Sequence, residues 1–144
     1  MSIYKSNHKV YELKYHFVLI IKYRKNLFKS ELEIYLKNIF EQICQKYDFV
    51  LETMGFDKNH VHLMIQTLPK SSPSKVFQIL KSISARKVFK KFPKIKLSLW
   101  GGNFWSAGGY AGSIGEGKNA DIIRNYIKKQ GQSGSDLKLI DFFD

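Results

Sequence analysis

The spacing of apolar positions changes period several times along the chain, and each change marks an element. Residues 12–21 (ELKYHFVLII) are dense in aromatic and β-branched side chains and predict a buried strand. From 30 to about 47 the period lengthens. Leu32, Tyr35, Leu36, Ile39, Phe40 and Ile43 fall at helical spacing, with Ser30 at the N-cap and Glu33 at the capping-box position. Residues 49–56 and 60–68 return to strand composition and read as a hairpin around Asp57-Lys58-Asn59. The stretch 69–73, with a proline at each end, breaks that pattern. A second helix follows over about 74–92 and is stopped by Pro93. Its first half carries Val76, Ile79, Leu80 and Ile83. Its second half carries Ala85, Val88, Phe89 and Phe92 on roughly the opposite side, at about 100° per residue. That change of side implies either a kink or a second packing partner.

Residues 97–105 predict a further strand, interrupted by Gly101-Gly102. Seven of the 10 glycines lie between 101 and 117, so this stretch reads as a flexible linker before a short helix over 118–130. The remainder, 131–144, reads as a loosely held tail, and 1–130 as a single domain. The order β-α-β-β-α-β, then a helix, is that of an α+β ferredoxin-like (split βαβ) antiparallel sheet with two helices on one face. That leaves the other sheet face free, and His60 and His62 could project from it. That superfold hosts many functions, so the order alone assigns none.

Charge narrows the choice. Lys and Arg number 24 against 12 Asp and Glu, and the surplus is concentrated. Between Asp57 and Glu116 no acidic residue occurs, while Lys58, Lys70, Lys75, Lys81, Arg86, Lys87, Lys90, Lys91, Lys94 and Lys96 all fall there. A polyanion-binding surface has this character, because neutralised phosphates release their counterions. Nucleic acid suits it better than an anionic membrane, since no long basic amphipathic helix with a clean apolar face is present. No apolar span of membrane length and no signal-peptide core at the start are found, which implies a cytoplasmic protein. Cys44, the single cysteine, has no internal disulfide partner and sits in an amphipathic helical pattern, where packing is its expected role.

Two short motifs carry the candidate chemistry. His60-Val61-His62 lies on a strand pattern, where alternation sends both imidazoles to one face and Val61 to the other. Tyr126-Ile127-Lys128-Lys129-Gln130 lies on a helical pattern, where Tyr126 and Gln130 are one turn apart. Two imidazoles and an amide oxygen can hold a divalent ion beside a phenol. Each motif alone has a plain structural explanation: a pair of hydrogen-bonded histidines, and a core tyrosine beside Ile122, Ile123 and Ile127. Their joint occurrence with the basic window favours the chemical reading.

Several segments resemble the single-tyrosine HUH (histidine, hydrophobic, histidine) transposases, the small TnpA enzymes of IS200-like and IS605-type insertion sequences. They are KYHFVLIIKYRK, GFDKNHVHLMIQ, LKSISARKVFKKFP, LWGGNFW and IIRNYIKKQ, in family order over nearly the whole chain. The residues after Gln130 match least, and SAGGYAGSIGEG is richer in glycine than the family pattern. The resemblance implies His60, His62 and Gln130 as ligands of Mg²⁺ or Mn²⁺, and Tyr126 as a nucleophile leaving a 5′-phosphotyrosine on single-stranded DNA. It also implies hairpin-bearing insertion-sequence ends as substrate and a homodimer. The glycine-rich linker would let the tyrosine helix reach either its own histidine pair or its partner's, so that sites shared between subunits and sites within one subunit both stay open. Neutral nitrogen and amide-oxygen donors suit such an ion better than a closed zinc site. Lys22, Arg24, Lys25, Lys81, Arg86, Lys87 and Lys90 become candidate phosphate contacts, and Trp100, Phe104, Trp105 and Tyr110 candidate stacking platforms. Two rivals stand beside this reading: a non-enzymatic nucleic-acid-binding ferredoxin-like module, and a metal-dependent nuclease that activates water and has no use for Tyr126.

Overall fold

The structure, a computed structural model, describes residues 4–6, 9–11, 13–22, 30–68, 70–99, 102–114 and 118–128. Its elements in chain order are β1 (Tyr4–Ser6), β2 (Lys9–Tyr11), β3 (Leu13–Ile20), α1 (Ser30–Lys46), β4 (Val50–Asp57) and β5 (His60–Thr67). There follow α2 (Pro73–Lys91), α3 (Pro93–Ser98), β6 (Tyr110–Ile114) and α4 (Lys118–Lys128). The small β1-β2 ribbon is an addition to the expected order. The main sheet runs β4-β5-β3-β6 with every pair antiparallel, which is the split βαβ arrangement expected of the α+β ferredoxin-like class.

The two faces of the sheet follow from alternation along β3. Tyr15, Phe17 and Leu19, with Ile21 beyond the strand end, join the main core alongside Val61, Leu63 and Ile65 of β5. Leu32, Leu36, Ile39, Phe40 and Ile43 of α1 and Val76, Leu80 and Val88 of α2 close it. Phe17 stacks on Phe77 of α2 at 5.8 Å between ring centroids. The opposite face carries Lys14, His16 and Val18, paired with Gln66, Met64 and His62. There a smaller cluster forms, in which Ile123 and Ile127 of α4 pack on Met64 and Ile114.

The two stripes of α2 resolve into one. Val76, Leu80, Ser84 and Val88 are the buried residues, each one four-residue step from the last. Steps of four advance about 40° around a helix, so the stripe winds without a kink. Ser84 occupies a core position because its hydroxyl donates to the Leu80 carbonyl and accepts from Trp105 Nε1 at 2.8 Å. Phe89 and Phe92 find separate partners, edge-on against Phe104 and Tyr35.

The last strand corrects the sequence expectation. It forms at Tyr110–Ile114, inside the glycine-rich stretch read as linker, and not over 97–105. The glycines there serve close approach. Gly109 has φ +112°, and a Cβ on it would come within 2.5 Å of the Val18 carbonyl oxygen and 3.1 Å of Phe77 Cζ. At Gly112, paired with His16, a side chain would collide with the Tyr110 ring. Within 97–105, Ser98 ends α3, Leu99, Phe104 and Trp105 are buried, and Trp105 makes an isolated bridge to Ile21.

Candidate active site

Both imidazoles of the His-x-His pair lie on the sheet face that α4 covers. Their rings are nearly parallel, with centroids 6.3 Å apart and an interplanar angle of 15°. Across the strand pair, His16 stacks on His62 at 5.5 Å, and its Nε2 lies 3.3 Å from His62 Nδ1. One nitrogen donates and the other accepts, so Nδ1 of His62 is engaged within the protein and Nε2 is the atom left for a ligand. Tyr126 of α4 meets His62 edge-on, with ring centroids 6.2 Å apart at 71°. Tyr110 tilts over the far side of His16 at 5.7 Å. The candidate nucleophile, the candidate ligand pair and a third histidine therefore share one patch.

Burial sets the electrostatics of the patch. His16 is fully buried, and its pKa is lowered to about 3 by desolvation. His62 is likewise lowered to about 3, first by burial and then by the neighbouring His16 and His60. Both rings are neutral near pH 7, the state in which imidazole ligates a cation. Toward the other end of the face, Glu52 accepts from Gln66 Nε2 at 2.7 Å and pairs with Lys14 and Arg124.

The expected site residues divide. His60, His62 and Tyr126 are brought together. Gln130, Arg24, Lys25 and Trp100 lie outside the described residues. Lys22 is half-buried at the end of β3, where its backbone N–H donates to the Phe104 carbonyl at 2.8 Å. Lys81 has a structural bond: its ammonium donates to the Ser106 carbonyl at 2.8 Å, lies 5.0 Å from the Phe77 ring centre, and has its pKa lowered by burial. Phe104 and Trp105 belong to the core, which removes them as stacking platforms. Arg86, Lys87 and Lys90 lie on α2, away from the histidines. With Lys46, Gln42 and Ile39 of α1 they line an open groove of about 440 Å³ on the helix layer. His16 is not among the residues that the motifs single out, although it alternates with the apolar Tyr15 and Phe17 of the first strand and so falls on the face opposite the main core, with His62.

Residues 9–130 match the family described as "Transposase IS200 like". The chain belongs to the IS200-like transposases. This transposase is 33% identical over 121 residues to the ISDra2 transposase TnpA of Deinococcus radiodurans, covering 84% of this chain and 86% of that one. It is 28% identical over 123 residues to the transposase for insertion sequence element IS200 of Salmonella typhimurium, covering 85% and 80%. Among solved structures, a putative transposase from Deinococcus radiodurans superposes with a TM-score of 0.70 at 30% identity, over 89% of this chain and 98% of the other. A REP-associated tyrosine transposase bound to a REP hairpin shares the fold, with a TM-score of 0.61 at 14% identity over 90% and 72%. Among the described residues no helix is long and apolar enough to cross a membrane.

Proposed function

We propose that this transposase cleaves and rejoins single-stranded DNA at insertion-sequence ends, with Tyr126 as nucleophile and a 5′-phosphotyrosine intermediate. The observation that carries the reading is Tyr126 edge-on against His62, on the sheet face that also bears His60. The Tyr126 oxygen attacks the scissile phosphorus, the bond to the 3′ oxygen breaks, and the phenolic proton is lost as that oxygen leaves as a hydroxyl. One strand end stays esterified to the protein. Because the phosphotyrosine ester retains the energy of the broken phosphodiester bond, a 3′-hydroxyl attacking its phosphorus and displacing the Tyr126 oxygen rejoins strands without ATP.

His60 and His62 suit a divalent cation. Both are on one face, His62 is neutral, and its Nδ1 is engaged by His16 as the outer nitrogen of a metal-bound histidine usually is. Gln130, on the family resemblance, is the third ligand. His60, His62 and Gln130 would hold Mg²⁺ or Mn²⁺, which when bound would supply Lewis-acid polarisation of the scissile phosphate. Among the described residues no group of three or more His, Cys, Asp or Glu is arranged to hold a metal, so the proposed set depends on Gln130 for its third protein donor. Hairpin-bearing single strands are the proposed substrate, supported by the hairpin in the REP-associated relative of the same fold. The proposed working form is a homodimer.

The decisive experiment is a gel shift that survives SDS, using a hairpin-bearing single strand with Mg²⁺ or Mn²⁺. An adduct is expected with the unmodified protein and none with Tyr126→Phe, whose ring still packs and whose DNA binding is retained. EDTA is expected to stop the reaction. A binding module gives no cleavage at all, and a water-activating nuclease cleaves without an adduct and tolerates Tyr126→Phe.

A further inference from the structure

β4 and β5 stay in register from Asp57↔His60 to Thr53↔Met64, and then the register shifts between Leu51 and Thr53. Glu52 sits in that irregularity. An extra residue in one strand bends it and re-aims a side chain, and here the carboxylate is sent under α4 with only 6% of its side chain exposed. Three groups meet it. Lys14 Nζ of β3 lies 3.6 Å from Oε1, and Gln66 Nε2 of β5 donates to the same oxygen at 2.7 Å. Arg124 Nη2 of α4 lies 3.4 Å from Oε2. Two of the three partners belong to the sheet. The third belongs to the helix that carries Tyr126.

Ile123 and Ile127 form the centre of the docked face of α4, against Met64 and Ile114. At about 100° per residue, Arg124 falls on one flank of that face and Tyr126 on the other, roughly 160° apart around the axis. Apolar contact is non-directional, so the two isoleucines hold the helix down without fixing its roll. A charge-assisted contact on one flank does fix it, and with it the side on which Tyr126 meets His62. The sheet half of the contact is complete by itself. If Arg124 withdraws, Glu52 keeps Lys14 and Gln66, so no buried charge is stranded and the contact can open and close.

We propose that Glu52 and Arg124 are positioning residues for the transposition reaction: their ion pair sets the roll of α4 on the sheet and thereby aims Tyr126 at the histidine pair. The proposal rests on Tyr126 being the nucleophile, since only then does the roll of α4 govern the chemistry. Neither residue touches the reacting atoms, so their loss acts on the chemical step with little effect on binding.

The test compares Glu52→Gln, Arg124→Gln and the double variant in the full chain. Backbone amide exchange is followed over residues 122–128 and, as an internal reference, over 61–66 of β5. In each single variant the α4 amides are expected to exchange about threefold faster or more, with the β5 amides unchanged. The rate of adduct formation at saturating DNA is expected to fall about tenfold, the scale of a small misplacement, while DNA affinity holds within about twofold. The double variant is expected to be no worse than the worse single, the non-additivity of one shared contact. Should Glu52→Gln disturb the sheet, the β5 amides report it and Arg124→Gln, at a partly exposed side chain, decides alone. Unchanged α4 exchange with an unchanged adduct rate overturns the proposal, and so do additive losses. Faster α4 exchange in a protein whose parent forms no adduct is a different result: it retains the docking contact and removes the nucleophile reading instead.

Discussion

The ring of His62 has His16 on one side, His60 on another and Tyr126 against its edge. Each neighbour leaves a measurable trace. His16 and His62 both titrate near 3 in the folded chain because burial disfavours the imidazolium, whereas an unfolded histidine titrates near 6.5. Between those values the unfolded chain binds more protons, so stability rises with pH through the window and is flat above it. In EDTA, lowering the pH from 6.5 to 5 is expected to cost up to about 2 kcal/mol for each histidine, read as a falling urea midpoint. His16→Leu should reduce that loss by one histidine's share. It should also weaken divalent-cation binding by about 10-fold or more, since His62 loses the partner that orients it. A pH dependence identical in His16→Leu and the parent protein would mean that His16 is already protonated or solvated in the fold. At this scale the sequence was informative about His60, His62 and Tyr126, because the two periodicities fix their faces. It was silent about Glu52, whose orientation depends on a strand irregularity that no residue pattern announces.

At the scale of elements, periodicity carried β3, α1, the β4-β5 hairpin and α2 to within a residue or two of their ends. It misjudged the final strand, because a glycine run has no side-chain period to display and reads as freedom. The structure uses Gly109 for the opposite purpose, bringing the start of β6 against the Val18 carbonyl and Phe77. Gly109→Ala is therefore expected to destabilise the protein by about 1–3 kcal/mol, from the positive φ and the collision together. Gly108→Ala, where a Cβ meets only Ser106 Oγ at 3.6 Å, should fall within about 0.5 kcal/mol of the parent. Paired urea titrations measure both. Equal stability of the two variants would show that β6 accommodates a side chain at 109 by shifting away from β3. The winding stripe of α2 was obscured for a related reason: Ser84 looks polar in the sequence and becomes a core residue only through its bond to Trp105.

At the scale of the molecule, the sheet separates two groups of candidate residues, those proposed for the chemistry and those proposed for holding DNA. The histidines, Tyr126 and Glu52 lie on the α4 face, and Arg86, Lys87 and Lys90 lie on the far helix layer, along the groove shared with Lys46. Charge in that position cannot reach a phosphate bound at His62, but it can hold another part of the same DNA. Replacing Arg86, Lys87 and Lys90 together by Ala is accordingly expected to weaken binding of a hairpin-bearing strand. It should also lower the slope of log affinity against log salt by roughly 2–3, about 0.7–0.9 for each phosphate that is no longer neutralised. The rate of adduct formation at saturating DNA should stay within about twofold of the parent, because none of the three touches the site. The converse holds for Tyr126→Phe, which leaves the salt slope intact and removes the adduct. Filter binding across a salt series and a single-turnover adduct assay give the two readouts. A charge variant that loses the chemical step at saturation while keeping its salt slope would place the substrate's phosphates differently, with the α2 cations feeding the cleavage face and not an independent hold on the DNA.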